Sequence, residues 1–199
     1  MKSHKEIVKM LEESLSVHSI NEIPELQNFK SYDDIKDKHN KRELLFGLQL
    51  QENVVANFGS TGEVLLDKLL LLSPFVMILL SIIFSIYQEH YYLLFGIPLS
   101  ILGLILTSPS IMKQGSSFLG IVMITLLIFG IYSAFNDFST GFLLLCYSVP
   151  NFLLTVNRQL NMQVFEKAIL SSEIVFIYYF LRGECNIKNT KEGTVIYKN

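Results

Sequence analysis

The sequence predicts an all-α polytopic membrane protein: a four-helix transmembrane bundle with cytosolic N-terminal helices, and a C-terminal cytosolic helix plus a short β-hairpin. Two features of the composition carry this prediction. Half of the 199 residues are hydrophobic and 17% are charged, whereas about a quarter are charged in ordinary soluble domains. Residues 67–157 hold two lysines and three acidic residues, so this middle part is predicted to lie in lipid and the flanking parts in water.

Three parts follow from this distribution of charge. Residues 1–66 are predicted to form a cytosolic helical region, residues 67–157 the membrane bundle, and residues 158–199 a cytosolic helix with a β-hairpin. The four apolar blocks of the bundle cover about residues 69–87, 92–109, 118–135 and 138–156. Each block is close to the ~20 residues that a helix needs to cross ~30 Å of hydrocarbon. None alternates apolar and polar residues as a strand of a membrane barrel does.

The N-terminal region is predicted to contain two helices. Ile7, Leu11 and Leu15 form one apolar face of the first, because residues four apart lie on the same side of a helix. Ser31 is the predicted N-cap of the second, with two aspartates in its first turn. A stripe of apolar residues is then predicted to be buried by the helical region: Leu44, Leu45, Leu48, Val55 and Phe58. The sequence GSTG at 59–62 is interpreted as a hinge before the first span.

Short links and basic residues predict the topology of the bundle. Residues 88–90 join the first two spans and residues 136–137 join the last two, and neither link contains Lys or Arg. Lys113 lies in the middle link, while Lys68 precedes the first span and Arg158 follows the last. Because Lys and Arg favour the cytoplasmic side, we expect an up-and-down bundle with both termini in the cytoplasm.

A further apolar stretch, FEKAILSSEIVFIYYFLRGE at residues 165–184, is predicted not to cross the membrane. It contains Glu166, Lys167 and Glu173, and each charge costs ~2.5–3.5 kcal/mol at the bilayer centre. We expect a cytosolic helix that continues from span four and ends near Gly183. A strand over residues 174–181 is the alternative, since β-branched and aromatic residues dominate there.

The end of the chain carries a signal for a β-hairpin. Two short alternating segments flank the turn-rich sequence NTKEG at 189–193. A lone hairpin is marginal in water. We therefore expect it to pack on the N-terminal region or on another subunit.

Small residues in span two predict close helix packing. Gly96, Ser100, Gly103 and Thr107 recur every three or four residues, which allows another helix to approach closely. Packing within the bundle and contact between subunits are both open at this point. A weaker pattern of the same kind, Ser81 and Ser85, occurs in span one.

Span four contains the sequence YSVPN, which predicts a kink or a gate. Pro150 leaves the carbonyl of the preceding turn without its N–H donor, and Ser148 and Asn151 lie beside it. One interpretation is a helix kink with an interhelical hydrogen bond. The other is a gating hinge whose amide lines a pore.

No catalytic, cofactor-binding or metal-binding residues are predicted. The four histidines lie at positions 4, 18, 39 and 90, and none has the spacing of a metal site with another His or Cys. Ion-coupled transporters usually have an ionisable residue deep in the membrane. No such residue occurs well inside a predicted span. No basic stripe indicates direct binding of nucleic acid. The chain is therefore predicted not to be an enzyme.

In layout, the sequence resembles the small polytopic accessory and effector proteins of bacterial phage-defence systems, including CRISPR-associated ones. Frequent Ile, Lys and Asn without Trp are also typical of an AT-rich bacterial genome. The resemblance implies an effector or regulator that couples a cytosolic protein or ligand to the lipid bilayer. We expect it to lie in the bacterial inner membrane and to be a homo-oligomer, because its spans are almost wholly apolar outside a few small-residue stripes and its cytosolic parts are small. Its bundle is expected to oligomerise, and a pore through it is one expected activity. A small channel or transporter subunit for a small solute is the alternative.

Overall fold

The structure is a computed structural model that describes residues 4–49, 54–106 and 117–198, without the side chains of 4, 103, 104, 106, 117–121 and 123. These residues are mostly helical, with one small antiparallel sheet, which confirms the helical fold class and the β-hairpin. The helices are α1 His4–Ser14, α2 Tyr32–Asn40, α3 Val54–Phe58, α4 Thr61–Leu71, α5 Ser73–Tyr87, α6 Gly96–Leu106, α7 Ser117–Asn136, α8 Phe138–Ser171 and α9 Glu173–Leu181. The strands are β1 Leu44–Leu48, β2 Cys185–Asn189 and β3 Val195–Ile196; short 3-10 turns occur at Ile20–Glu22, Pro24–Leu26 and Tyr91–Phe95.

Two compact units divide the chain. Unit 1 comprises Met1–Val64 together with Leu160–Asn199, and unit 2 comprises Leu65–Gln159. Helices α4 and α8 supply residues to both units. The two flanking regions of the sequence thus contribute to one unit, and the apolar middle forms the other.

The sheet of unit 1 joins distant parts of the chain. Strand β2 pairs antiparallel with β3 in the predicted hairpin, and also with β1. Phe46 lies opposite Ile187, which is fully buried. Of the predicted buried stripe, Leu44 and Val55 are buried, whereas Leu45 is 46% exposed. Residues 44–48 form strand β1 and not part of a helix. Strand β1 pairs with β2, which lies far along the chain. Strand β1 also contains Gly47, and glycine is a poor helix former.

Residues 173–181 are the helix α9, so the alternative of a strand is wrong. Phe176, Ile177 and Phe180 are fully buried in the core of unit 1, and each contributes ~1.5–3 kcal/mol by leaving water. The predicted continuous helix is interrupted at Ser172, between α8 and α9. Helix α9 ends near Gly183, as predicted, and Gly183 adopts φ +73°. The N–H of Glu184 donates to the Tyr179 carbonyl at 2.9 Å, which completes a Schellman end.

Helix α5 ends in the same arrangement without a glycine. The N–H of His90 donates to the Ser85 carbonyl at 3.1 Å, and Glu89 takes the left-handed position with φ +56°. A side chain with a Cβ is strained there. This conformation of Glu89 lets the chain reverse direction within the three residues between α5 and Tyr91.

Polar contacts fasten the first forty residues of unit 1 to α8 and α9. The Tyr32 hydroxyl donates to the Ile169 carbonyl, the Ile20 N–H donates to Glu173, and His39 pairs with Glu166 at 2.8 Å. The Ser31 side chain accepts from the N–H of the third helical residue of α2, which confirms the predicted N-cap. A second cap, which the sequence interpretation treated as a hinge, is the Ser60–Glu63 capping box at the start of α4.

The predicted spans correspond to helices of unit 2, but few of these are long enough by themselves to cross a bilayer. Within the described segments, α8 alone has the length and the apolar character of a span; α4 and α5 add a second if they count as one helix bent by 41°. The bend falls at Leu72, just before Pro74. Pro74 cannot donate to the Leu70 carbonyl, and the Ser73 hydroxyl bonds to that carbonyl instead, at 2.8 Å.

Candidate functional site: a polar seam in unit 2

Polarity is inverted in unit 2 relative to a water-soluble fold. All the exposed large apolar side chains of the described chain lie in this unit, apart from Met10, Leu45 and Tyr197. The buried polar side chains also lie there: Ser73, Ser81, Ser85, Ser100, Ser148, Asn151 and Asn157. Unit 2 therefore has an apolar surface and a partly polar interior.

The two ends of unit 2 differ in charge. Asn157 donates to the Asp67 side chain at 2.8 Å, so the neighbouring Lys68 and Arg158 lie at one end, here called the basic end. At the other end, here called the acidic end, Phe84 of α5 contacts Phe138 of α8 with ring centroids 5.2 Å apart. Helices α5 and α8 are therefore antiparallel.

The acidic end carries the two short links and their carboxylates, Glu89 and Asp137. The Thr140 hydroxyl and the Ser139 N–H donate to Asp137, which caps the start of α8. The Thr140 hydrogen bond is the main cause that holds the pKa of the Asp137 carboxyl below its usual range. Asp137 thus stays charged at the end of the apolar helices.

Glycines allow the helices of unit 2 to approach closely. A Cβ on Gly96 of α6 would lie 2.3 Å from the Ser81 hydroxyl and 2.8 Å from the Cys146 sulfur. A Cβ on Gly141 of α8 would lie 2.1 Å from the backbone nitrogen of Ala134 in α7. A larger side chain at Gly141 requires the backbone of α7 to move, and one at Gly96 requires the side chains of Ser81 and Cys146 to move.

The proline of α8 creates the central hydrogen bond of the site. Pro150 lies inside the helix and cannot donate to the carbonyl four residues earlier, at Cys146. The Ser100 hydroxyl of α6 lies 3.0 Å from this carbonyl oxygen and 2.8 Å from the Gly96 carbonyl of its own helix. A hydroxyl has one proton, and the Cys146 carbonyl is the acceptor that lacks an N–H. We therefore assign the hydrogen bond to Cys146.

A second contact extends this arrangement to α5. The Ser81 hydroxyl lies 3.4 Å from the Cys146 sulfur and 2.8 Å from the Met77 carbonyl. Ser81, Ser100 and Cys146 are buried. Together with Pro150 these residues are called the polar seam, which links α5, α6 and α8.

Asn151 and Ser148 lie beside the polar seam on α8. The Ser148 hydroxyl bonds to the Leu144 carbonyl at 2.9 Å, and the Asn151 amide nitrogen donates to the Tyr147 carbonyl at 2.6 Å. Asn151 is fully buried, and its side-chain oxygen has no hydrogen-bond partner among the residues that the structure describes. An unpaired buried acceptor is uncommon in proteins.

The polar seam brings together residues that the sequence presented as two separate features. Gly96 and Ser100 belong to the small-residue stripe, and they meet the proline region of α8. Of the other stripe residues, Gly103 lies in α6 without a described environment, and Thr107 lies outside the described residues. Cys146 was not singled out from the sequence. The available signal was Pro150, since a proline inside a helix identifies the carbonyl four residues earlier as an unpaired acceptor.

The chemistry of the polar seam is that of neutral hydrogen-bonding groups: hydroxyl, thiol, amide and carbonyl. These groups can fix the spacing of helices or bind water and small polar solutes. In the part of the chain that the structure describes, no group of three or more His, Cys, Asp or Glu residues could hold a metal ion. No protein-family model, curated protein or solved structure matches this chain.

Proposed function

We propose that this chain is a non-enzymatic integral membrane protein, an effector or regulatory accessory protein that couples a cytosolic protein or ligand to the bilayer. The observation that carries the proposal is the inverted polarity of unit 2. Lipid favours an apolar surface and requires that buried polar groups find partners inside the protein. In water, the same surface would be an extensive apolar patch prone to association.

The proposal includes four spans, at about residues 69–87, 92–109, 118–135 and 138–156, with both termini in the cytoplasm of a bacterial cell. Support comes from the antiparallel course of α5 and α8 and from the charged residues at the two ends of unit 2. Helix α7 covers Ser117–Asn136, and its apolar part with described side chains, Ile124–Asn136, is shorter than a full span. The end of span two and the link with Lys113 lie outside the described residues.

A cytosolic signal fits the distribution of folded parts. The links at the acidic end are short, since α5 ends at Tyr87 before the turn at Tyr91, and α7 ends at Asn136 before α8 begins at Phe138. They leave little chain to bind a partner on that side. Unit 1 has its own hydrophobic core, and α4 and α8 supply residues to both units, so a change in unit 1 has a covalent route to the membrane helices.

Reporter fusions test the location and topology. Alkaline phosphatase, active in the periplasm, and green fluorescent protein, active in the cytoplasm, are fused after His90 and after Asn199. We expect phosphatase activity only after His90 and fluorescence only after Asn199. A fluorescent fusion recovered from the soluble fraction, or a periplasmic signal after Asn199, would contradict the proposal.

A channel subunit for a small solute is the second candidate, and one observation favours it. Within the described part of the chain, the buried Asn151 oxygen lacks a hydrogen-bond partner. Carbonyl oxygens contact water and cations in conducting pathways. If the unit conducts, Asn151→Leu should reduce permeability without loss of membrane insertion. The matched control is Thr155→Val on the same helix, whose hydroxyl bonds to the Asn151 backbone carbonyl.

The two candidates are separated by a membrane-potential dye in cells that express the chain. Depolarisation that Asn151→Leu reduces and Thr155→Val leaves unchanged would favour the channel. Equal depolarisation by both variants excludes Asn151 from a conducting path. Turnover of a substrate by purified protein in liposomes would overturn the non-enzymatic proposal.

Homo-oligomerisation also remains a proposal, and it needs a surface other than the described part of the small-residue stripe, Gly96 and Ser100. Gly96 and Ser100 are buried against other helices of the same chain. Native mass spectrometry in mild detergent tests assembly directly. Monomers at every protein concentration would contradict it.

A further inference from the structure

Exposed aromatic side chains are concentrated at the acidic end of unit 2. They lie on both sides of the link at 88–90 and before the link at 136–137: Tyr87, Tyr91, Tyr92, Tyr132 and Phe135, here called the aromatic cluster. Tyr87 is 82% exposed and Phe135 is 87% exposed. The contact of Phe84 with Phe138 brings the end of α5 beside the start of α8, so both links belong to the same end.

The basic end has a different surface. Among the side chains that the structure describes at this end, from Leu65 to Leu72, the exposed large ones are aliphatic: Leu65, Leu66, Leu69, Leu71 and Leu72. Of the five tyrosines between residues 65 and 159, four belong to the aromatic cluster, and the fifth, Tyr147, lies within α8. The chain has no Trp. Tyrosine is therefore the side chain that can supply both an aromatic ring and a hydrogen-bonding tip at a membrane surface.

We propose that the aromatic cluster is an interfacial anchor, which binds the headgroup and glycerol layer of the bilayer on the side of the links at 88–90 and 136–137. This inference rests on the proposed membrane location of unit 2. A tyrosine places its ring against lipid chains and its hydroxyl among the ester and headgroup oxygens. Glu89 and Asp137, which are exposed in the two links, then lie in water just beyond the cluster. The anchor sets the depth of the acidic end in the bilayer.

The absence of Trp allows a direct measurement of depth. Single replacements, Tyr87→Trp and Tyr132→Trp, each introduce one fluorophore into the full-length chain in phosphatidylcholine vesicles. The lipids carry bromine either near the headgroup or near the chain end. We expect the bromine near the headgroup to quench both tryptophans about twofold more strongly, because half of a ~30 Å hydrocarbon layer separates the two depths.

The matched control is Phe129→Trp, an exposed position in the middle of α7, where the bromine near the chain end should quench more strongly. If neither lipid quenches Phe129→Trp, the membrane location itself is wrong. If Phe129→Trp is quenched but the cluster positions are not, or are quenched better by the deep bromine, the anchor is wrong. Quenching at the cluster that falls as the protein-to-lipid ratio rises means that a second copy covers it, which also overturns the anchor. Tyr91→Trp replaces either cluster variant that does not fold.

Discussion

Replacing Ser100 with Ala tests whether its hydroxyl serves the carbonyl that Pro150 leaves unpaired. In the wild type, this hydroxyl lies 3.0 Å from the Cys146 carbonyl. Ser100→Ala leaves that carbonyl buried without a donor. Pro150→Ala restores an N–H at position 150, which can bond to the same carbonyl within α8. The cost of Ser100→Ala should therefore depend on which residue occupies position 150.

The expected loss of stability depends on one acceptor, the Cys146 carbonyl, and on whether it still has a hydrogen-bond donor. A buried acceptor left without a partner costs ~1–3 kcal/mol, and interhelical hydrogen bonds in membranes measure about 0.6 kcal/mol on average, with a maximum of about 1.7. We expect Ser100→Ala to lower the free energy of unfolding by about 1–2 kcal/mol beside Pro150, and by about 0.5 kcal/mol beside Ala at that position. The difference, about 1 kcal/mol, is the coupling energy of the pair.

Equilibrium unfolding in mixed micelles, followed by helical circular dichroism, measures all four members of this double-mutant cycle. Ser148→Ala is the matched control, because its hydroxyl bonds to the Leu144 carbonyl of its own helix. It should cost the same in both backgrounds. If Ser100→Ala also costs the same in both, the hydroxyl donates to Gly96 instead, and the assignment of the hydrogen bond is refuted.

Three further predictions concern helix ends, packing and pH. Glu89 and Gly183 both have positive φ, which glycine adopts more easily than other residues. Glu89→Gly should therefore raise the free energy of unfolding by about 1 kcal/mol, and Gly183→Ala should lower it by about as much. Changes of equal sign in chemical denaturation would contradict this. Gly96→Ala should lower the thermal midpoint, because the added methyl group clashes with the Ser81 hydroxyl. A second change, Ser81→Ala, should restore part of the lost midpoint. If it restores nothing, the methyl group clashes with an atom other than the Ser81 hydroxyl. The pKa of Glu63 is lowered mainly by the N–H of Ser60, so its stabilisation is present above the unfolded-state pKa and is lost as the pH falls through the folded-state pKa. Glu63→Gln should therefore flatten the acid side of the stability profile, and an unchanged profile would contradict it.

Local patterns predicted those elements whose signals lie within one helix or one turn. The apolar blocks identified the helical segments of unit 2, Ser31 marked the start of α2, and Gly183 marked the end of α9. Strand β1 escaped prediction because Leu44 and Leu48 also fit a helical period, while the strand they pair with lies at Cys185–Asn189. The capping box at Ser60 and Glu63 was present in the sequence as S-x-x-E and was interpreted as a hinge.

The candidate site was predictable in its parts but not in their arrangement. Pro150 and Ser100 were each recognised as special positions in a helix. Their connection depends on which face of α6 meets α8, and the helix period alone does not determine that. Tertiary packing decides it, through the close approach at Gly96. Asn151 was predicted as an interhelical or pore-lining amide, whereas its described hydrogen bond stays within α8.

The construction of unit 1 from both ends of the chain has a consequence for biosynthesis. The ribosome releases β1 early, but its partner β2 emerges only after every apolar helix has been made. During that interval, the edge of β1 is unpaired and the apolar side chains that α9 later covers are exposed. Such surfaces attract chaperones and proteases. A chain that stalls before β2 is made is thus marked as incomplete, because its sheet cannot close without that strand.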